Sequence, residues 1–210
     1  MAKKVSDIIR EHWQKGDYLG WFEQVYAQTD PPWALDGAHP HLVQWVAREA
    51  IDGDGQRALV VGCGLGDDAE YLAQLGYDVT AFDISETAIA RCRQRFPDSP
   101  VTYVTADLFQ LPDTWQGAYD LVFESRTIQA LPHTMSQQAC HAIADTLAPR
   151  GVLLVLCFAR DPHESKDGIP WRVSRVELQA FVDYGLDEVQ FEDIREGDRR
   201  DFRVMYRRTS

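Results

Sequence analysis

The sequence predicts an α/β fold: a doubly wound, mostly parallel seven-stranded sheet ending in an antiparallel hairpin. Three observations predict it. Five apolar, strand-like runs recur from residue 58 onward: Ala58 to Val61, Val79 to Phe82, Val101 to Val104, Leu121 to Phe123 and Gly151 to Phe158. Segments of helical period lie between several of them, at Asp68 to Leu75, Glu86 to Arg95 and Gln137 to Leu147. Such alternation is the pattern of parallel strands covered by helices on both faces. The last stretch reads differently. Ser174-Arg175-Val176-Glu177 has the capping-box spacing that opens a helix to Tyr184, and two further strand-like segments, 188–194 and 202–206, flank the turn Glu196-Gly197-Asp198.

With 210 residues the chain suits one domain with a substantial core. Residues 51–210 are expected to form the sheet domain, and residues 1–50 a helical extension. Within that extension Val5 to Gln28 reads as a helix carrying Trp13, Tyr18, Trp21, Phe22, Val25 and Tyr26. A lid over a site and an aromatic face packed on the domain both fit this composition.

A net charge of -12 opposes phosphate-rich partners, since nucleic-acid binding depends on lysines and arginines displacing counterions, and no basic stripe is visible. The four cysteines, Cys63, Cys92, Cys140 and Cys157, show neither CxxC spacing nor a secreted pattern and read as reduced core thiols. Residues 1–10 lack the apolar stretch of a signal peptide, and no apolar run reaches bilayer length, so a soluble, cytoplasmic protein is expected. His39, His41 and His133 have no acid or cysteine at a recognisable metal-ligand spacing, and no metal is expected. His39-Pro40-His41 reads instead as a helix start, with Pro40 in the first turn.

The chemistry begins at Leu59-Val60-Val61-Gly62-Cys63-Gly64-Leu65-Gly66, a buried strand entering a tight turn, after which Asp67-Asp68 opens a helix. Gly62, Gly64 and Gly66 let backbone approach a ligand closely. The dinucleotide fingerprint G-x-G-x-x-G wants a glycine where Asp67 stands. Two carboxylates at a helix N-terminus repel a pyrophosphate but suit the ammonium of a methionine moiety beside a sulfonium. This charge pattern favours S-adenosylmethionine over NAD, and Asp67 is taken as the acid facing it. At the end of the second strand Asp83, followed by Ile84, is placed to accept hydrogen bonds from ribose hydroxyls. After the third strand Asp107 is a candidate acceptor for the adenine amino group, with Leu108 against the ring. The bland alternatives are a helix cap for Asp83 and a turn for Asp107.

With these elements in order, residues 58–158 resemble the common core of class I S-adenosylmethionine-dependent methyltransferases, which implies a Rossmann-like sheet. Leu147-Ala148-Pro149-Arg150-Gly151 before the fifth strand belongs to the same resemblance. Two departures are visible: Val60 stands where that family often has an acid, and Arg150 interrupts the usual L-x-P-G-G turn. The flanks are similar to the thiopurine and thiol or halide methyltransferase group, in Pro31-Pro32-Trp33-Ala34-Leu35-Asp36-Gly37 and in Gly168-Ile169-Pro170-Trp171-Arg172-Val173. That similarity implies a small-molecule acceptor, a soft nucleophile such as a thiol, sulfide or halide.

The fourth strand ends in Phe123-Glu124-Ser125-Arg126, beside the expected methyl position. Arg126 is a candidate for attracting an anionic acceptor, or the partner of an ion pair; the similar group has an arginine near here. Glu124 is a candidate base or a contact to the cofactor's ammonium. Trp21, Tyr26, Trp33 and Trp171 are candidates to enclose a sulfonium and its acceptor with aromatic faces, Trp33 nearest the cofactor and the others nearest the acceptor. Asp30-Pro31-Pro32-Trp33 imitates the D-P-P-aromatic motif of nucleic-acid amino methyltransferases, but it precedes the first strand instead of following the fourth. The remaining alternatives are O- or N-methylation of a small metabolite, a nicotinamide oxidoreductase, and a noncatalytic S-adenosylmethionine-binding regulator.

Overall fold

The computed structural model describes residues 4–28, 30–165 and 171–209. Seven strands form one sheet: β1 Arg57–Val61, β2 Asp78–Asp83, β3 Thr102–Thr105, β4 Tyr119–Ser125, β5 Leu147–Phe158, β6 Leu186–Glu196 and β7 Arg199–Arg208. Their order is β3-β2-β1-β4-β5-β7-β6. β1 pairs in parallel with both β2 and β4, and β4 with β5. β7 then inserts antiparallel between β5 and β6, closing the expected hairpin at Gly197. The order reverses between β1 and β4, and a crevice opens there beyond the carboxyl ends of the strands.

Side-chain alternation divides the core into two layers. On one face Leu59, Val61, Val122 and Val155 pack with Ile143 and Ala144 of α6 (Ser136–Asp145) and with Leu178 and Phe181 of α7 (Arg175–Asp183). On the other, Val60, Ala81, Phe123 and Leu154 meet α3 (Pro40–Glu49), α4 (Asp67–Gln74) and α5 (Glu86–Arg95). α3 lies within residues 1–50, yet Leu42 and Trp45 are as buried as the sheet's own residues. It is a wall of the doubly wound domain. The capping box of Ser174 and Glu177 opens α7 as its spacing requires.

The segment expected as one helix from Val5 to Gln28 is two, α1 (Val5–Trp13) and α2 (Gly20–Gln28). Gly16, at a left-handed φ of 74°, ends the first, and His12 ties the pair by contacts of 2.8 Å to Asp17 and 2.7 Å to Gln24. Ile8, Ile9, Trp21 and Val25 form a separate small core between them. Glu23 of α2 docks on the sheet domain, accepting from Ser85 Oγ at 2.5 Å and from both the backbone N–H and the hydroxyl of Thr87. No helix among the described residues is long and apolar enough to cross a membrane.

Phe181 is fully buried against Tyr206, with ring centroids 5.1 Å apart. Phe181→Ala is expected to cost about 3 to 5 kcal/mol through lost transfer energy and a cavity, read by urea denaturation.

Candidate active site

A cavity of about 480 Å³ occupies the crevice. The glycine loop forms its floor. Gly62 has φ 59°, and a Cβ there would lie 2.3 Å from Thr127 Oγ1, so only glycine lets the loop pass beneath the turn after β4. Gly66, at φ 91°, precedes α4, and a Cβ on it would lie 2.6 Å from the Tyr103 hydroxyl. Gly64 also lines the cavity, and its N–H donates to Asp83 Oδ2 at 2.9 Å. Asp83 Oδ1 accepts from Ser85 N at 3.0 Å, so this carboxylate fixes both the loop and the start of α5. Burial pushes its carboxyl up to about 6, against the lowering effect of those two N–H groups. Ile84 continues the wall.

Asp107 and Leu108 stand beyond β3 at the far end. Asp107 accepts from Phe109 N at 2.9 Å and Gln110 Nε2 at 2.8 Å, capping its own short 3₁₀ turn. The expected turn role is therefore present, and the side chain faces the cavity as well. The two acids after the glycine loop part company. Asp67 is held by both terminal nitrogens of Arg95, at 2.8 and 2.9 Å, so its charge is already answered. Asp68 instead accepts from His39 N at 2.6 Å, and burial pushes its carboxyl up to about 6.

Opposite the loop, Arg126 projects from the turn after β4 with φ 65°. Its N–H donates to Leu156 O at 2.9 Å, its guanidinium lies 4.4 Å from the Phe158 ring centroid, and its Nη2 meets His39 Nε2 at 2.9 Å. Among the described residues no carboxylate reaches ion-pair distance of it, which departs from the ion-pair alternative. His39, the N-cap of α3, was read in the sequence only as a helix start. Burial first, then Arg126, hold its imidazole down to about 3, so it is neutral.

Glu124 and Trp171 depart from their expected places. Strand alternation puts Glu124 on the face of Val122, away from the cavity that Phe123 and Ser125 line. It is fully buried; Oε1 accepts from Thr127 N at 2.6 Å and Ile128 N at 3.0 Å, while Oε2 has no hydrogen-bond partner among the described residues. It caps the turn that carries Arg126 and is not among the residues that line the cavity. Burial pushes it up to about 7. Trp171 stacks on Trp13, centroids 4.3 Å apart, and flanks a separate small hollow with His133 and Glu177. Gly168, Ile169 and Pro170 lie outside the described residues. Trp21, Tyr26 and Trp33 do line the cavity; Trp33 Nε1 donates to the Tyr26 hydroxyl at 3.2 Å, and the two rings meet edge to face.

Glycine loop, acids at the ends of β2 and β3, and cavity at the switch point together match an adenosine cofactor with a cationic arm. A family model described as thiopurine S-methyltransferase matches residues 19–206. The chain belongs to the thiopurine S-methyltransferase family. As a family member it is a methyltransferase that uses S-adenosylmethionine. It is 28% identical to a probable thiol methyltransferase 2 of Arabidopsis thaliana, with 89% of this chain and 82% of that protein covered. A thiopurine S-methyltransferase of a Shewanella strain is 25% identical, with 83% and 86% covered. Among solved structures, the N-methyltransferase NodS of Bradyrhizobium japonicum WM9 superposes with a TM-score of 0.69 at 19% identity, covering 90% of this chain and 99% of that one. At that identity the likeness speaks for the fold.

Two measurements check this site. Asp83→Ala is expected to weaken S-adenosylmethionine binding by about 1 to 3 kcal/mol in calorimetry, through lost hydrogen bonds. Glu124, raised from 4.5 to about 7, keeps its proton longer in the folded than in the unfolded state. Its contribution to stability is full below about 4.5, and is lost as pH rises through about 7. Glu124→Gln, which retains the Oε1 acceptor, is expected to gain on the order of 1 to 3 kcal/mol over the parent at about pH 8 and nothing at about pH 4, by denaturant titration.

Proposed function

We propose that this family member methylates a small, soft, anionic nucleophile such as a thiolate, sulfide or halide. The observation that carries the reading is Arg126: a half-buried guanidinium on the cavity wall, set against a neutral imidazole and an aromatic ring, with Asp201 and Asp68 acting on it from beyond ion-pair distance among the described residues. A cation so placed attracts an anion entering the cavity, because partial burial strengthens the interaction relative to water. The bound cofactor supplies an electrophilic methyl group on a sulfonium. The protein's share is alignment and exclusion of water. Gly62 and Gly64 let the backbone approach the cofactor, and Asp83 holds the loop and offers its carboxylate to the ribose. Tyr26 and Trp33 present aromatic surface toward a sulfonium.

His39, held near 3, is a poor proton acceptor at neutral pH, and Glu124 faces away. A thiolate, sulfide or halide needs neither, whereas a hydroxyl or amine generally needs a positioned base. Two of the relatives cited above are named for a thiol and a thiopurine, and another, 29% identical, is thiocyanate methyltransferase 1 of Arabidopsis thaliana; the N-methyltransferase NodS is a likeness of fold. The four cysteines are free thiols, which suits a reducing cytoplasm.

The test measures S-adenosylhomocysteine formation over iodide, sulfide, aromatic thiols, phenols and amines. Soft anions are expected to turn over and phenols and amines not. Arg126→Ala is expected to raise KM for an anionic acceptor about tenfold, as for loss of a charged hydrogen bond, while shifting a neutral one little. Equal losses for both overturn the role of Arg126, and turnover confined to amines or phenols overturns the acceptor class.

A further inference from the structure

The family resemblance leaves one place open: Val60, where an acid is often found, is a buried core residue here. The cofactor's methionine arm nevertheless carries an ammonium, and a cation in a sheltered cavity needs an answering charge. The two acids that open α4 both line the cavity, but successive helical residues point about 100° apart, so they meet different neighbours. Asp67 is spent on Arg95 through two hydrogen bonds. Asp68 lines the cavity too; His39 N–H engages its Oδ1 at 2.6 Å, and among the described residues no cation lies within ion-pair distance of the carboxylate, Arg126 acting on it only from farther off.

Asp83 after β2 and Asp107 after β3 mark the ribose and adenine end of the cavity. The methionine arm must then run the other way, over the glycine loop toward β4. Asp68 lies on that side, with His39 and Arg126 as its polar neighbours.

We infer that Asp68, and not Asp67, binds the ammonium of the cofactor's methionine arm, in place of the acid missing at Val60. The inference rests on the methyltransferase reading. Burial holds the Asp68 carboxyl up to about 6, which is the condition of an acid awaiting a cation; an ammonium beside it restores its charge.

Calorimetry with two ligands isolates the contact. S-adenosylhomocysteine carries the ammonium; 5′-methylthioadenosine keeps the adenosine and lacks the amino acid arm. Asp68→Asn retains an oxygen for His39 N–H while removing the charge. It is expected to raise Kd for S-adenosylhomocysteine about tenfold or more, and Kd for 5′-methylthioadenosine less than about twofold. Equal losses for both ligands overturn the inference, as does a larger loss from Asp67→Asn than from Asp68→Asn. Should Asp68→Asn not fold by circular dichroism, Asp68→Glu takes its place, with the same selective loss expected from a displaced carboxylate. Failure of the parent protein to bind either ligand is a different result: it overturns the cofactor reading itself.

Discussion

The close passage of the glycine loop beneath the turn after β4 is the constraint on which the site depends. Thr127 Oγ1 donates to Val61 O at 3.1 Å, and Gly62 has no room for a methyl group beside it. The end of β1 and the end of β4 are thereby locked at a fixed separation. On one side of that lock Asp83 gathers the loop through Gly64 N–H; on the other, Glu124 gathers the turn through Thr127 and Ile128 N–H. Two buried carboxylates thus hold irregular backbone where sheet hydrogen bonds end, which is how a site stays open without orphaned amides.

These same groups exact a cost. Asp83 and Glu124 satisfy backbone donors, but burial disfavours their charged forms, and Glu124 Oε2 has no hydrogen-bond partner among the described residues. Shape at the site is set against stability. Arg126 belongs to the same pattern, a left-handed non-glycine residue whose N–H is nevertheless tied to Leu156 O. Its conformation persists because the turn is fixed on both sides.

Much of the fold was legible because parallel strands buried on both faces are apolar throughout and helices repeat at their own period. The ends of β1, β2 and β4 fell within a residue or two of their apolar runs. The break at Gly16 was hidden because aromatic residues continue across it, and only the glycine signalled it. At the site, the loop and the acids after β2 and β3 could be read from order alone. Glu124 was misplaced although alternation from Val122 gave its face; its neighbourhood in the chain was weighed above its direction. The different fates of Asp67 and Asp68 turn on Arg95, the last residue of α5, and on His39, which local sequence does not bring near. Trp171 was carried by family resemblance, and its stacking on Trp13 joins segments more than a hundred residues apart.

The docking of Glu23 on Ser85 and Thr87 gives the N-terminal helices a bearing on the cofactor end of the molecule. Ser85 is the residue whose N–H holds Asp83 and whose hydroxyl accepts from Ala88 N. α2 therefore helps finish the first turn of α5 in the way a side-chain cap finishes its own helix, a service worth about 0.5 to 2 kcal/mol where it has been measured. Lifting α2 away strips polar partners from the segment next to Asp83. The outer helices and the floor of the cavity are thereby joined by one run of hydrogen bonds, from Glu23 through Ser85 and Asp83 to Gly64.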